Sequence, residues 1–341
     1  MDMLPPGKRE TEPYSFGLVL LPKFSALTLS SLVDPLRIAN YCDGRKLYDW
    51  QYLSADGGDI PSCSGFSIPT QMISGDDRTW DAIIVCGGWN AERYDDDRLL
   101  NWLRLLGRRG VTLGAAETGS YVLARAGLLA GCSATIHWYC HHAFAERYPQ
   151  TELRKQLFVI DHNRMTCAGG TSCLDMMLYI VRRDHGRVLA AEVADQLLYA
   201  PVRAADHVQK HTQDPEQTAL PQVLRKAVEV METNVEQAIK IPQLAKSLAL
   251  SQRKLERLFN RHFGCSAVAF YRKVRLQQAR VLLTHTDMSV LDICVACGFA
   301  SSSYFSKSYA EQFGVRPRDH RLAWPDSDRT PIWPGLNEAT R

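Results

Sequence analysis

Residues 251–264 read SQRKLERLFNRHFG and residues 301–314 read SSSYFSKSYAEQFG. Each stretch opens on a serine, closes on a glycine and sets a large apolar side chain at every fourth position between them. These are Leu255, Phe259 and Phe263 in the first and Phe305, Tyr309 and Phe313 in the second. That recurrence predicts a helix with one apolar stripe, so each helix is seated along that stripe and keeps its opposite face free. The seat is written just upstream, by Leu244, Leu248 and Leu250 for the first helix and by Ile293, Cys297 and Phe299 for the second. Residues 241–314 therefore carry one helix-turn-helix pattern twice, with one residue of difference in the turn. Gly264 and Gly314 suit helix stops, and Pro317 forbids resumption of the second helix.

The free faces are chemically different. Arg253, Lys254, Glu256 and Arg257 lie on the first, Ser302, Ser303, Tyr304, Ser306 and Lys307 on the second. Arginine can donate two hydrogen bonds to a guanine edge, whereas Lys, Ser and Tyr serve phosphates as readily as bases. A helical bundle with merely solvated charges is the plainer alternative, and the charge distribution counts against it. Residues 221–321 hold 16 Lys and Arg against 8 Asp and Glu, a formal +8, while the rest of the chain holds 24 against 29, or −5. A basic module joined to an acidic one is the electrostatic footprint of a nucleic-acid binder.

With these motifs in view, residues 235–321 resemble the DNA-binding domain of AraC-type transcriptional regulators. The resemblance includes the connecting segment YRKVRLQQARVLL (271–283) and the stretches ICVACGF (293–299) and FGVRP (313–317). It implies a seven-helix unit whose two recognition helices enter successive major grooves on one DNA face. Tyr309 stands where the family usually has Phe, and the serine-rich start of the second recognition helix promises weaker base readout there.

At 341 residues, with 45% apolar and 23% charged residues, the chain can bury two cores and has the composition of an ordinary soluble protein. No stretch reaches the roughly 18 apolar residues of a membrane span, and the N-terminus lacks an apolar signal core, so no membrane partner and a cytoplasmic location are expected. Ten cysteines scattered through such a chain read as reduced thiols. Cys294 and Cys297 form a Cys-x-x-Cys, but both fall on the inner side of a helix-turn-helix, which favours core packing. His137, Cys140, His141 and His142 could offer metal ligands, yet no matching carboxylate or His-Glu-x-x-His helix accompanies them. Neither a metal nor a cofactor is expected.

In the first two hundred residues, short apolar runs alternate with amphipathic ones. FGLVLL (16–21), AIIVC (82–86), residues 111–115, 158–160 and 165–168 read as strands, and residues 27–40, 99–109 and 173–183 as helices. Alternation of this kind predicts an α/β sandwich, flavodoxin-like, around a mainly parallel sheet, followed by the all-α domain with two helix-turn-helix motifs. In such sheets ligands bind beyond the carboxyl ends of the strands. There AAETG (115–119) has the small-residue flanks of a nucleophile elbow, with Glu117 at its centre.

Residues 16–198 resemble the class I glutamine amidotransferase-like superfamily, the fold shared with intracellular proteases of that group. By position the resemblance puts Glu117 at the place of the catalytic cysteine, Gly87 and Gly88 at the oxyanion-hole loop, His137 at the partner histidine and Thr28 where some enzymes carry an acid. Cysteine catalysis needs a thiolate, which Glu117 cannot supply; Thr118 and Ser120 flank the elbow position rather than occupy it. A ligand-binding role is therefore expected in place of catalysis. The alternative is an enzyme of this fold, a hydrolase or amidase, with a DNA-binding appendage.

A helix N-terminus beside Glu117 should keep it ionised, and Phe24, Trp89, Trp138 and Tyr139 lie on segments that converge there in the related fold. A carboxylate among aromatic faces suits a cation. Thus Phe24, Thr28, Gly88, Trp89, Glu117, Thr118, His137 and Trp138 are the candidate ligand residues. Equally open is a reading in which the aromatics are core and Glu117 only caps a helix. Regulators of this two-part architecture, the resemblance implies, answer to small nitrogenous metabolites, such as quaternary ammonium compounds or basic amino acids, and usually activate transcription.

The expected organisation is a disordered start (1–13), a ligand-sensing and dimerising domain (14–200), a linker (201–221), the DNA-binding domain (222–322) and a tail (323–341). Promoter DNA, a cationic or zwitterionic inducer, a second copy of the chain and RNA polymerase are the expected partners.

Overall fold

The computed structural model describes residues 12–73, 79–207, 209, 220–286 and 288–320. The expected disordered start, apart from residues 12 and 13, the tail from 323 onward and the central part of the linker lie outside the described residues. The chain divides between residues 210 and 211 into two compact units.

The first apolar run, all but its last residue, falls in β1 (Tyr14–Leu20), which leads into α1 (Ala26–Asp43). Ser25 caps this helix by accepting from the Thr28 amide, and Gly44 ends it in the left-handed conformation. Next come β2 (Tyr48–Ser54), β3 (Gly58–Pro61), β4 (Ser67–Met72) and β5 (Ala82–Cys86), then α2 (Asp97–Arg108) and β6 (Thr112–Ala116). A 3-10 turn (Glu117–Gly119) joins β6 to α3 (Ser120–Arg125). The unit continues with β7 (Ser133–Ala134), α4 (His141–Arg147), β8 (Glu152–Leu153), β9 (Phe158–Asp161), β10 (Arg164–Cys167) and α5 (Ser172–Gln196), which breaks at Gly186.

Eight strands form one sheet in the order β3-β4-β2-β1-β5-β6-β10-β9. The inner pairs are parallel, whereas β3–β4 and β9–β10 are antiparallel hairpins at the two edges. Alternation along β1 and β5 decides the layers. Phe16, Leu18, Leu20 and Ile84 share a core with α1 and α5, while Val19, Ile83 and Val85 share another with α2 and α3. The expected α/β sandwich is thus observed, with two differences. The strands of residues 48–72 lie outside the predicted set, because YDWQYLS and SIPTQM lack a continuous apolar run. Of the last two strands, β10 extends the parallel series beside β6, and only β9 departs from it, pairing antiparallel with β10 at the edge.

The second unit is helical: α6 (Gln222–Thr233), α7 (Ile241–Ser247), α8 (Gln252–Phe263), α9 (Ala267–His285), α10 (Val290–Ala296) and α11 (Ser302–Phe313). A further helical stretch opens at Pro317 and runs to the last described residue, His320. Four residues of the predicted stripes, Leu255, Phe259, Phe305 and Tyr309, are at 0% exposure, while Phe263 and Phe313 at their ends are half-buried. Burying a side chain of this kind stabilises by about 1.5 to 3 kcal/mol, enough to hold short helices that would not persist alone.

Candidate functional site

The elbow is built by backbone crowding. Glu117 has φ 61°, a left-handed conformation that a carboxylate side chain adopts only under constraint. Glycines make room for it: a Cβ on Gly119 would lie 2.1 Å from the Val85 carbonyl oxygen, and one on Gly169 would lie 2.6 Å from the Glu117 Cβ. The loop after β10 therefore rests directly on Glu117, and only glycine fits at position 169.

The side chain is held by hydroxyls. Thr28, fully buried on α1, donates from Oγ1 to Glu117 Oε2 at 2.7 Å and accepts the Gly170 amide at 2.8 Å. Burial pushes the Glu117 carboxyl above its ordinary range, and hydrogen bonds from Thr28 and Ser25 pull it only part of the way back. The support expected from a helix N-terminus is thus slight, and desolvation opposes the ionised form. Glu117 opens a 3-10 turn that leads only into a six-residue helix, and desolvation is the largest influence on its carboxyl.

The other candidates divide into two groups. His137 approaches through its backbone, its amide donating to the Glu117 carbonyl at 3.4 Å, while its ring lies 5.6 Å from that of Trp138. Trp89 and Trp138 are half-buried. Phe24, by contrast, is at 0% exposure in the core under α1 and α5, so its ring is packing, in line with the plainer alternative. Thr118 is buried and donates to the Gly88 carbonyl at 2.6 Å; Gly88 itself lies so close to Lys23 that a Cβ there would be 1.9 Å from its carbonyl oxygen. Both brace the elbow. Ser25, Gly169 and Gly170 are absent from the candidates drawn from sequence, although a Gly-Gly pair just after an apolar strand is a legible sign of close backbone approach. Burial lowers the His141 pKa to about 4, which leaves it neutral near pH 7. Among the described residues no group of three or more His, Cys, Asp or Glu is arranged to hold a metal ion.

In the helical unit, Ser251 and Ser301 cap α8 and α11, and Gly264 and Gly314 end them with φ of 64° and 72°. Arg253, Lys254 and Arg257 are exposed on α8, as are Ser302, Ser303, Tyr304 and Lys307 on α11; Ser306 is half-buried. Glu256 is not part of the open face, because its Oε2 accepts the Ala267 amide at 2.9 Å and so caps α9. Two arginines of α9 lie beyond what the sequence pattern foretells. Arg275 donates to the carbonyls of Cys297 and Gly298 with its guanidinium 4.1 Å from the Phe299 ring centroid, and Arg272 donates to the Tyr304 hydroxyl at 3.1 Å. Cys294 and Cys297 are buried in the second helix-turn-helix.

Fold and site together define a DNA-binding transcription regulator whose first unit has the fold of an elbow-bearing α/β enzyme. Comparison with known proteins agrees. Residues 19–183 match the DJ-1/PfpI family and residues 244–323 match a helix-turn-helix domain. The HTH-type transcriptional regulator GbdR of Pseudomonas aeruginosa is 40% identical across 94% of this chain and 87% of its own length. The HTH-type transcriptional regulator CdhR of the same organism is 41% identical across 91% and 92%. A crystal structure of an AraC family transcriptional regulator from Pseudomonas putida, 28% identical, superposes with a TM-score of 0.50 over 54% of this chain and 100% of that one. The chain belongs to the AraC-type transcriptional regulators that carry an N-terminal DJ-1/PfpI domain.

Proposed function

We propose that the first unit is the receptor for a small cationic or zwitterionic nitrogen compound, a quaternary ammonium such as betaine or carnitine or a basic amino acid. Its binding activates transcription from promoter DNA held by the second unit. In this reading the protein works in the cytoplasm as a homodimer joined through its first unit, recruits RNA polymerase, and catalyses nothing. The observation that carries it is Glu117: a carboxylate stands where the fold's nucleophile would, half-buried, with hydroxyl donors in place of a countercharge. A cation beside it would supply the missing charge, and Trp89 and Trp138 offer faces for the alkyl groups.

Titration calorimetry of the full chain with glycine betaine, carnitine and L-arginine tests the reading. Glu117→Gln keeps the shape and the Thr28 hydrogen bond but removes the charge. Affinity should fall by about 1.5 to 3 kcal/mol, roughly ten- to a hundredfold in Kd. Equal binding by both forms would leave Glu117 as a structural residue. The strained elbow keeps the enzyme alternative in play, and turnover of an amide or ester substrate that disappears in Glu117→Gln would favour it.

A further inference from the structure

The chain leaves the first unit along a path bonded to both loops that touch Glu117. On one side Asp175, 1% exposed in the first turn of α5, accepts from the Arg203 amide at 2.7 Å, from Arg203 Nε at 2.9 Å and from Nη2 at 2.7 Å. Tyr199 donates to the same carboxylate at 3.0 Å. Arg203 Nη2 also reaches Thr171 Oγ1 at 2.7 Å, next to the Gly169–Gly170 loop that lies on Glu117. The Leu157 amide donates to the carbonyls of Ala205 and His207, both at 3.1 Å, while the Leu157 carbonyl accepts the amide of Ala168 at the start of that loop.

On the other side Gln209 inserts its amide. Nε2 donates to Thr135 Oγ1 at 2.8 Å, the Ile136 carbonyl at 2.9 Å and the Gln156 carbonyl at 2.8 Å. Ile136 is followed by His137, whose amide bonds the Glu117 carbonyl. Thr171 and Ile136, each bonded by the exit path, therefore lie within two positions of Gly169 and His137, the residues in direct contact with Glu117.

We infer that this is an intramolecular docking surface: residues 203–207 and Gln209 bind the two loops around Glu117, and their docking carries the state of that site to the DNA-binding unit. The inference rests on the receptor reading and adds its means of transmission. A charge entering beside Glu117 must rearrange the Thr28–Gly170 bond or the His137 loop. Either movement alters the seat of the exit path, because buried hydrogen-bonded networks shift between discrete arrangements. Arg203 and Gln209 are positioning residues in this scheme; neither contacts the ligand.

Hydrogen exchange on the full chain tests the docking without any ligand. Thr28→Val removes the hydroxyl that links Glu117 to Gly170, and Thr28→Ser keeps it. The valine variant should speed exchange in residues 168–173 and also in 203–207, by roughly three- to tenfold, the effect of losing about one hydrogen bond, while the serine variant matches the parent. In the reverse direction Gln209→Ala should speed exchange in residues 135–137 and 156–157. Faster exchange confined to the mutated loop in both experiments would overturn the inference.

A second arm uses glycine betaine. Gln209→Ala should bind it with the parent's affinity, yet lose the change in exchange that it causes across residues 241–263. A response as large as the parent's would overturn the inference. If glycine betaine does not bind the parent, the receptor reading fails for that compound, and the ligand-free arm still decides the docking.

Discussion

At the scale of single residues, Glu117 shows how desolvation acts on a carboxyl group. Its pKa is raised from the ordinary 4.5, and the largest cause is desolvation. In the unfolded chain the group loses its proton near the ordinary value, whereas the native state holds it to higher pH. Between those two pKa values the native form binds more protons, so its stability falls as pH rises, and the full cost stands above the folded-state pKa. Glu117→Gln removes that cost while keeping the acceptor for Thr28. Thermal unfolding should find the variant and parent alike near pH 4 and the variant more stable near pH 8, by about 2 to 4 °C for each kcal/mol in a unit of this size. A parent that gains stability over the variant as pH rises would mean that Glu117 has a countercharge in the ligand-free protein. Glu256 illustrates the converse. It is legible as a charge on the outer face of a recognition helix, but no local pattern announces that its carboxylate caps the next helix.

Among the elements, the two recognition helices share a frame and differ in what they present. Ser caps, αL glycines and apolar stripes are common to α8 and α11, so the paired motif is a product of local sequence. The exposed faces do not match: α8 offers Arg253 and Arg257, and α11 offers Ser302, Ser303 and a Tyr304 whose hydroxyl is engaged by Arg272. A bidentate arginine contact discriminates a base pair by about 1 to 3 kcal/mol, and a serine hydroxyl accepts several bases. Selection in vitro from a randomised operator should therefore return a half-site of high information content for α8 and a degenerate one for α11. Equal information in the two halves would show that Tyr304 or the serines read bases after all. Arg275 has no counterpart in a reading of periodicity, because it serves its purpose by crossing from α9 to the carbonyls of a turn more than twenty residues away.

For the molecule as a whole, the boundary of the first unit is set by partners that are far apart in sequence. Residues 203–207 and Gln209 have the polar composition of a linker, yet they satisfy Asp175, Leu157 and Thr135. A fragment of residues 12–200 should thus be less stable than one of residues 12–210. Leaving a buried ion unpaired costs about 3 to 5 kcal/mol, which places the difference in melting temperature at roughly 10 °C. Coincident melting curves would show that Asp175 finds other partners. The sequence by itself determined the two-part architecture, the helix-turn-helix repeat, the elbow at Glu117 and the division of charge between the halves. Each of these is local or periodic, and short-range sterics and burial patterns suffice to write it. Only the tertiary structure decided that Phe24 is packing, that Glu117 is held by Thr28 under a glycine loop from a distant part of the chain, that Glu256 is a cap, and that the exit path is docked. These depend on contacts between segments distant in the chain. For a polar or charged side chain, the partner it meets once desolvated, and not its residue type, settles what it does.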